Sequence, residues 1–399
     1  MTRPYLTPDL PGTGGVLKLT PEDFRVDEIP LYEPSGEGEH VFARLRKRGV
    51  ATFEAARRVA QSVGVPERYV TFAGLKDARA ITTQTVSIFG ATEEQVAAAH
   101  VPGIELTEIR RHGNGLRLGH LRGNRFDLVV RNAEPDSLPR ARAVLEVLIR
   151  KGVPNYYGEQ RFGARADGHL FGQDLLNKEY AAFLKRMLGG PAGTTRDPAV
   201  LEARRLFDAG QVQEAYEMMP IRQRSEKKAL GALLRFKDDE TAVRAIPKRI
   251  RKIYVSAFQS WLFNTTVAGR IENLERLMEG DLAFIHRSRR VFLVEDAARE
   301  QARSDAFEIS PSGPMFGTRM TSPTGEPGRV ESELLASTGL TPEQFHTDQG
   351  IKVKGLRRPL RVPLRDVSIE PVDTTSYRVR FTLPSGSFAT VVMAELTKS

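Results

Sequence analysis

The fold is decided by the stretch Tyr69-Val70-Thr71-Phe72-Ala73-Gly74-Leu75-Lys76-Asp77-Ala78-Arg79-Ala80, which is followed by Thr83-Gln84-Thr85-Val86-Ser87-Ile88. Residues 69–72 and 83–88 predict two strands, and the residues between them predict a short connection. A loop that rigid strands position is a favoured place for functional side chains, which makes Asp77 the first candidate. From these residues alone, a turn carboxylate that accepts a hydrogen bond from its own backbone is the favoured interpretation.

The sequence on both sides of this stretch predicts further strands and helices. A period-two pattern over residues 24–29 predicts another strand, and a further strand is predicted from Arg125 to Val130. Helices are predicted to begin at Thr52, which is placed as an N-cap, and at Ser137.

The middle of the chain differs in character. Residues from 165 to about 275 predict mostly helices, including one around Trp261 that is interpreted as core packing, and residues 311–329 predict an irregular segment. Alternation around Phe381 predicts a return to strands, followed by a turn at Pro384-Ser385-Gly386 and then the segment 387–392. This order predicts an α+β core interrupted by a helical insertion.

The composition excludes several kinds of chemistry. The 399 residues include no cysteine, so disulfides, a thiolate nucleophile, iron–sulfur clusters and cysteine zinc sites are excluded. None of the seven histidines has the helical spacing of a zinc protease. No Gly-Lys dipeptide and no complete dinucleotide-binding glycine motif occurs. The classes of protein that remain are a cofactor-free enzyme and a binding protein.

The charge balance favours a polyanionic partner. Lys plus Arg total 59 against 50 Asp plus Glu, which gives a formal net charge of +9. The cluster Arg249-Arg251-Lys252 is predicted to contact phosphate backbones, although such clusters are more often solvated faces. No apolar run approaches the roughly 20 residues of a membrane helix, and the N-terminus lacks a signal-peptide core. A cytoplasmic location without a membrane partner is therefore expected.

Four passages spread over nearly the whole chain carry a resemblance. They are Pro21-Glu22-Asp23-Phe24-Arg25-Val26, Gly74-Leu75-Lys76-Asp77-Ala78-Arg79-Ala80-Ile81-Thr82-Thr83-Gln84, Asn155-Tyr156-Tyr157-Gly158-Glu159-Gln160-Arg161-Phe162-Gly163 and Phe381-Thr382-Leu383-Pro384-Ser385-Gly386-Ser387-Phe388-Ala389-Thr390. Weaker matches are Gly123-Asn124-Arg125-Phe126, Gln259-Ser260-Trp261-Leu262-Phe263-Asn264 and Gly313-Pro314-Met315-Phe316-Gly317. In their order and spacing, these passages resemble the motifs of the TruD family of tRNA pseudouridine synthases.

The resemblance implies an α+β fold with two domains. One is a pseudouridine-synthase catalytic core with a mixed or antiparallel sheet, formed from both chain ends, and the other is an inserted α+β TRUD domain. The expected limits are residues 1–163 and 345–399 for the discontinuous catalytic domain and 164–344 for the inserted domain.

The resemblance also implies an isomerase that converts uridine to pseudouridine in tRNA, with position 13 as the expected target. The bond between C1′ and N1 is broken, the base turns, and C1′ is rejoined to C5. Because the reaction consumes no electrons and adds no atoms, it needs neither a redox cofactor nor a metal. The expected partner is tRNA, and no obligate protein partner is evident.

The resemblance assigns the catalytic role to Asp77 as the nucleophile and places Lys18 as its charge partner, which keeps the carboxylate ionised. Whether the carboxylate attacks the ribose, attacks the base or removes a sugar proton is left open by the sequence.

A uridine in folded tRNA must be flipped out, which requires an aromatic surface and polar groups that read the uracil edge. The resemblance assigns these roles to Phe24, Asn124, Phe126 and Phe388. From the residues alone, Phe24 and Phe126 are core residues of alternating strands.

Gln160 and Arg161 have two interpretations. They line the active site, or they hinge the insertion and brace its first loop, and structural support is slightly favoured.

Two other classes of protein share some of these features. An RNA-binding protein without catalysis has the same basic charge but gives no reason for the aspartate loop. An RNA methyltransferase acting at uridine C5 usually uses a cysteine nucleophile, which this chain lacks.

Overall fold

The computed structural model describes residues 3–190, 195–347 and 350–398, and its chain divides into two compact units. The terminal unit comprises Pro4–Asn155 and Val362–Ser399, so both ends of the chain contribute to it. The inserted unit comprises Tyr156–Arg361 together with Arg3. The functional limits at 163/164 and 344/345 remain a prediction, because compactness alone assigns no function to either side of them.

Among the described residues, a nine-stranded sheet forms the centre of the terminal unit. Seven strands follow one path in the order Arg365–Asp373, Ser376–Pro384, Leu121–Arg131, Phe24–Pro30, Ile81–Phe89, His40–Arg48 and Ile104–His112. Off this path, Val16–Leu17 pairs with the third of these strands and Val70–Phe72 pairs with the fifth. Phe24–Pro30 and Ile81–Phe89 are parallel, and the other pairings of this sheet are antiparallel. A mixed sheet formed from both chain ends confirms the predicted fold class.

The described helices of the terminal unit are Thr52–Val63, Glu93–Ala97, Ser137–Lys151 and Ala389–Thr397, with 3₁₀ turns at Pro21–Asp23 and Glu67–Tyr69. The first helix buries Ala56, Val59 and Ala60 in a cluster that also contains Val41 and Ile88 of the sheet. Along the sequence, the short strands Val153–Pro154 and Arg361–Val362 stand where the chain passes from one unit to the other.

The first helix begins at Thr52, but the prediction that Thr52 is its N-cap was wrong. Ala51 occupies the cap position with extended φ and ψ of −69° and 148°, and Thr52 is the first helical residue. Its hydroxyl instead accepts from the amide of Lys76 in the loop that carries Asp77, and it also contacts the side chain of Gln84 in the strand that follows. The side chain therefore makes a tertiary contact and not a local cap.

The segment after the C-terminal turn forms the helix Ala389–Thr397. Val391 and Val392 have high strand propensity, but Val392, Met393 and Leu396 lie on the buried part of this helix. Packing decides the structure here against the local preference.

The inserted unit is mostly helical, as predicted, up to residue 273. Its described helices are Gly168–Leu176, Tyr180–Leu188, Pro198–Asp208, Val212–Met218, Arg224–Phe236, Asp239–Ala245, Lys248–Gly269, Ala297–Asp305 and Gly325–Ala336, with 3₁₀ turns at Glu159–Phe162, Ile271–Asn273 and Pro342–Phe345. Its strands are Leu282–Ile285, Val291–Leu293, Ile309–Met315 and Leu356–Pro359.

The strand Ile309–Met315 is buried throughout and contradicts the prediction of an irregular segment from 311 to 329. It contains Pro311 and Pro314, which normally argue against a central strand because proline donates no ladder hydrogen bond. The strand tolerates them because its pairing changes sides. Residues 309–311 pair with Leu282–Ile285, whereas residues 312–315 pair with Leu356–Pro359.

The helix Lys248–Gly269 supports one prediction and corrects another. Phe258 and Leu262 are fully buried and Trp261 packs beside them, as predicted for a packing helix. Arg251 is also buried, and its Nε donates to the carbonyl of Ile246 at 3.0 Å. The prediction that Arg251 contacts phosphate backbones was therefore wrong, whereas Arg249 and Lys252 are exposed. In the described part of the chain, helices that combine the length and apolar character needed to cross a membrane are absent.

Candidate active site

Asp77 lies on the loop formed by residues 73–80, which we call the Asp77 loop. This loop joins the antiparallel strands Val70–Phe72 and Ile81–Phe89. Three buried side chains bind its backbone. The amide of Lys76 donates to Thr52 Oγ1 at 2.9 Å, Gln84 Nε2 donates to the carbonyl of Gly74 at 3.1 Å, and Lys47 Nζ donates to the carbonyl of Asp77 at 2.8 Å.

The loop is therefore held at three points along its length by groups that belong to a helix and two strands. Such a loop holds its carboxylate in one place, which is what a catalytic group requires.

The Asp77 carboxylate is paired with a lysine and partly open to solvent. Its Oδ2 forms an ion pair with Lys18 Nζ, and its side chain is 27% exposed. Its Oδ1 accepts a hydrogen bond from the amide of Arg79 at 3.1 Å. This second contact is the local turn interaction that the residues alone suggested, and it coexists with the lysine pair.

The pKa of Asp77 lies below its ordinary value. Partial burial alone would raise this pKa, but the hydrogen bond and charge of Lys18, the amide of Arg79 and the charge of Lys47 outweigh it. The carboxylate is therefore ionised at neutral pH.

Lys18 is held in an unusual backbone conformation. Its φ of 58° lies in the left-handed region that residues other than glycine rarely adopt. Its ammonium also lies 4.2 Å from the centre of the Phe24 ring. Lys18 therefore joins Phe24 to Asp77 in one contiguous group.

A buried pair beside this group fixes Asn124. Lys76 Nζ lies 3.0 Å from Glu28 Oε2, and both side chains are at most 5% exposed. The same ammonium donates to Asn124 Oδ1 at 2.6 Å. Because a lysine ammonium only donates, the amide oxygen of Asn124 must face it, and the amide NH₂ faces away.

Lys47 is a second buried lysine beneath the Asp77 loop. It is 1% exposed and donates to the carbonyls of Val50 and Asp77 at 2.6 and 2.8 Å. Burial lowers its pKa to about 8, although the charge of Asp77 acts in the opposite direction.

The predicted aromatic residues differ in exposure. Phe24 and Phe126 are 5% and 6% exposed, and the centre of the Phe126 ring lies 5.3 Å from that of Phe381, so both are core residues of the sheet. Phe388 is 37% exposed and occupies the N-cap position of the C-terminal helix.

The turn before Phe388 is attached to the strand that carries Asn124. The amide of Ser385 donates to the carbonyl of Arg122 at 3.1 Å, and this backbone contact anchors the turn next to Gly123. A Cβ on Gly123 would lie 2.4 Å from the carbonyl oxygen of Leu383, so glycine is required for this close approach.

Gln160 and Arg161 belong to the inserted unit. Gln160 is exposed, whereas Arg161 Nε donates to Ser260 Oγ at 3.0 Å and another guanidinium nitrogen donates to Ser256 Oγ. Arg161 therefore ties the 3₁₀ turn Glu159–Phe162 to the helix Lys248–Gly269. These contacts are those of a bracing residue.

Sequence reasoning missed five residues that hold the site: Glu28, Lys47, Thr52, Lys76 and Gln84. A signal was present for two of them. Along its strand, Glu28 alternates in step with Phe24 and Val26 and lies on the same buried face. Lys47 likewise lies on the same buried face as Leu45. A charge on the buried face of a strand requires a partner, so each pointed to a polar group inside the fold.

Within residues 3–190, 195–347 and 350–398, groups of three or more histidine, aspartate and glutamate side chains arranged to hold a metal ion are absent.

The sequence model of the family described as tRNA pseudouridine synthase D (TruD) matches residues 1–396. The chain belongs to the TruD family of tRNA pseudouridine synthases, whose members isomerise uridine to pseudouridine in tRNA. The tRNA pseudouridine synthase D of Geobacter sulfurreducens is 46% identical over 399 residues, which cover 99% of this chain and 96% of the relative. The protein of the same name from Geobacter metallireducens is 46% identical over 395 residues, which cover 99% and 97%.

A solved structure has the same fold. It is the crystal structure of a Methanosarcina mazei protein assigned as tRNA pseudouridine synthase D (TruD), with a TM-score of 0.84 and 28% sequence identity. The match covers 99% of this chain and 96% of that chain.

Proposed function

We propose that this protein converts uridine to pseudouridine at position 13 of tRNA, with the Asp77 carboxylate acting on the flipped nucleotide. The C1′–N1 bond breaks and a C1′–C5 bond forms, while the base loses a proton at C5 and gains one at N1. The product has the same atoms and electrons as the substrate, so the reaction needs neither a redox cofactor nor a metal. We place this activity in the cytoplasm, with tRNA as the substrate.

One observation carries the proposal: an ionised carboxylate stands on a loop whose backbone is bound at three points. Lys18 keeps the pKa of Asp77 below its ordinary value, so the group is charged at neutral pH. Its side chain is 27% exposed, so a nucleotide can reach it. These are the two properties that a nucleophile or a general base needs.

Asn124 supports recognition of uracil. Its oxygen accepts from Lys76, which leaves the NH₂ group to donate to a carbonyl of the base. A bond to the C4 carbonyl distinguishes uracil from cytosine, because cytosine carries at C4 an amino group that cannot accept it, whereas both bases have a carbonyl at C2. Lys76 and Glu28 thus set the direction in which Asn124 reads the base.

Phe388 supports the stacking of a flipped base. It is more exposed than Phe24 and Phe126, and stacking on an aromatic ring stabilises an unstacked base. Phe24 and Phe126 are buried, so their part is to shape the floor of the site from within the sheet.

Tritium release from a tRNA transcript labelled at uridine C5 tests the function, because the isomerisation expels the C5 hydrogen. Without added cofactor or metal, the wild type is expected to release one equivalent per tRNA, and Asp77→Asn is expected to release none. Asp27→Asn is the matched control, because Asp27 is exposed on a strand of the same unit. A transcript with cytidine at position 13 tests the target position.

The outcomes separate the parts of the proposal. An absence of release by the wild type from several folded tRNAs would contradict the function. Release by Asp77→Asn at the wild-type rate would remove Asp77 from the mechanism. Unchanged release from the transcript with cytidine at position 13 would contradict the target position alone.

A further inference from the structure

A cleft lies in the terminal unit, and Asp77 is not among the residues that line it. Its volume is about 900 Å³, and its walls include three of the seven histidines of the chain, His40, His112 and His120. Tyr32 lies among them. The cleft, which we call the histidine cleft, is used by none of the steps proposed for Asp77.

An aromatic platform lies in the wall of this cleft. The rings of Tyr32 and His112 are stacked with their centres 5.2 Å apart and their planes at 25°. The Tyr32 hydroxyl lies 3.0 Å from His120 Nδ1, and His112 Nδ1 accepts from the amide of Ser35 at 3.1 Å. The centre of the Phe42 ring lies 4.5 Å from that of His112. The platform is therefore held in place before any ligand binds.

The three imidazoles share one pattern of hydrogen bonding. Each uses Nδ1 on a protein group, since His40 Nδ1 lies 3.0 Å from Ser87 Oγ, His112 Nδ1 meets Ser35 and His120 Nδ1 meets Tyr32. Among the described residues, hydrogen-bond partners of the three Nε2 atoms are absent. These atoms can serve a polar ligand, and the described histidines are not grouped so as to hold a metal ion.

The charge at the cleft suits a phosphate. Arg68 and Arg117 line it and are exposed, and the Arg68 guanidinium lies 5.1 Å from the centre of the Tyr69 ring. Glu33 is the one carboxylate among the described lining residues. Two guanidinium groups against one carboxylate leave a net positive charge even when the histidines are neutral.

The wall of the cleft is bonded to the Asp77 loop. Leu116 lines the cleft and packs in one cluster with Leu121 and Ala73, the first residue of that loop. The amide of Gly119, in the same segment, donates to the carbonyl of Ala73 at 2.8 Å. A ligand in the histidine cleft would therefore lie against the segment from which the Asp77 loop starts.

We propose that the histidine cleft binds one unpaired nucleotide of the RNA substrate, with its base on the Tyr32–His112 platform and its phosphate at Arg68 and Arg117. This inference rests on the proposed function, which supplies an RNA from which the target uridine has been unstacked. Stacking on an aromatic ring combined with cationic contacts is the way in which proteins hold single-stranded RNA.

Affinity for unmodified tRNA tests the proposal. The double variant Arg68→Gln/Arg117→Gln is expected to bind about 10-fold more weakly and to lower the salt slope of log K by about 1.4, as expected for two contacts to a single strand. Arg142→Gln/Arg150→Gln is the matched control, because both arginines are exposed on a helix that packs against the strand at the opposite edge of the sheet. Equal affinities and salt slopes for the two double variants would overturn the proposal.

Photocrosslinking tests the stacked base without relying on a substitution in the core. Unmodified tRNAs that carry 5-iodouridine at single unpaired positions are irradiated with the wild-type protein. At one position the crosslink is expected on a peptide containing Tyr32 or His112, and excess uridine monophosphate is expected not to compete. Crosslinks confined to other peptides would overturn the proposal, and efficient competition by the mononucleotide would reassign the cleft to a free nucleotide.

Both experiments measure binding and not turnover. A wild type that binds tRNA through the histidine cleft but releases no tritium would contradict the proposed function and leave the cleft standing. Tritium release by a wild type whose cleft makes no contact with RNA would support the proposed function and contradict the proposal for the histidine cleft.

Discussion

At the scale of single residues, burial and Lys18 have opposite effects on the pKa of Asp77. Burial acts to raise it and Lys18 acts to lower it, with the second effect prevailing. Lys18→Gln removes the positive charge and shortens the side chain that donates to Asp77, so burial is opposed less strongly and the pKa of Asp77 rises.

The acid limb of the rate should therefore move to higher pH in Lys18→Gln. Single-turnover tritium release measured from pH 4 to 8 is expected to stay flat to about pH 5 for the wild type, since its Asp77 remains ionised there. In the variant, the rate is expected to fall progressively as the pH is lowered from 8 to about 5. Arg25→Gln removes a charge from the exposed face of the strand Phe24–Pro30 and should behave as the wild type. Superimposable profiles for Lys18→Gln and the wild type would show that Lys18 does not set the pKa.

Asn124→Asp reverses the group that faces the base. A carboxylate still accepts from Lys76, but it presents an acceptor where the amide presented a donor. Losing this bond and leaving the uracil carbonyl unpaired is expected to cost about 1–3 kcal/mol, or roughly 5- to 150-fold in kcat/KM.

Discrimination between bases checks the same prediction independently. In an Asp77→Asn background, the binding preference for uridine over cytidine at the target position is expected to fall when Asn124→Asp is added. Asn132→Asp is the control, because Asn132 is exposed just beyond the end of the strand that carries Asn124. An unchanged preference would mean that Asn124 does not read the base.

At the scale of elements, Thr52 connects the first helix to the Asp77 loop through a hydroxyl. Thr52→Val keeps the shape and leaves the amide of Lys76 without its acceptor. We expect a loss of about 1–3 kcal/mol of unfolding free energy and about a 10-fold lower kcat, because the loop loses one of its three attachments.

The measurements are urea unfolding and multiple-turnover tritium release at saturating tRNA, with Thr52→Ser expected to restore both the unfolding free energy and kcat. Thr107→Val is the matched control on an exposed strand position. A lower unfolding free energy with an unchanged kcat would assign Thr52 a structural role only.

The elements also show what a sequence pattern can and cannot predict. Alternation of apolar residues identified the strand Phe24–Pro30, because its buried and exposed residues alternate. The strand predicted over Arg125–Val130 lies within Leu121–Arg131. The strand Ile309–Met315 is buried on both faces and contains two prolines, so no alternation and no strand propensity marked it. The helix Ala389–Thr397 could not be predicted from its sequence, because its valines favour a strand and packing decides its structure.

At the scale of the whole molecule, the assembly of the site depends on pairings that spacing does not encode. Asp77 could be singled out from its loop and its resemblance to family motifs. The contacts of Lys76 with Glu28 and Asn124 join residues from three distant parts of the chain. Their meeting follows from the strand order, which no local pattern contains.

The sheet order has a consequence for the synthesis of the protein. The strand Ser376–Pro384 lies between Leu121–Arg131 and Arg365–Asp373, and the last helix holds the first residues through Glu395, which accepts from the amides of Leu6 and Thr7. During synthesis, the edge of the sheet at Leu121–Arg131 therefore stays unpaired until the strand Ser376–Pro384 has left the ribosome. The inserted unit can fold before that point. A chain that stops before Pro384 lacks the turn that carries Phe388, so it cannot form the stacking surface proposed for the flipped base.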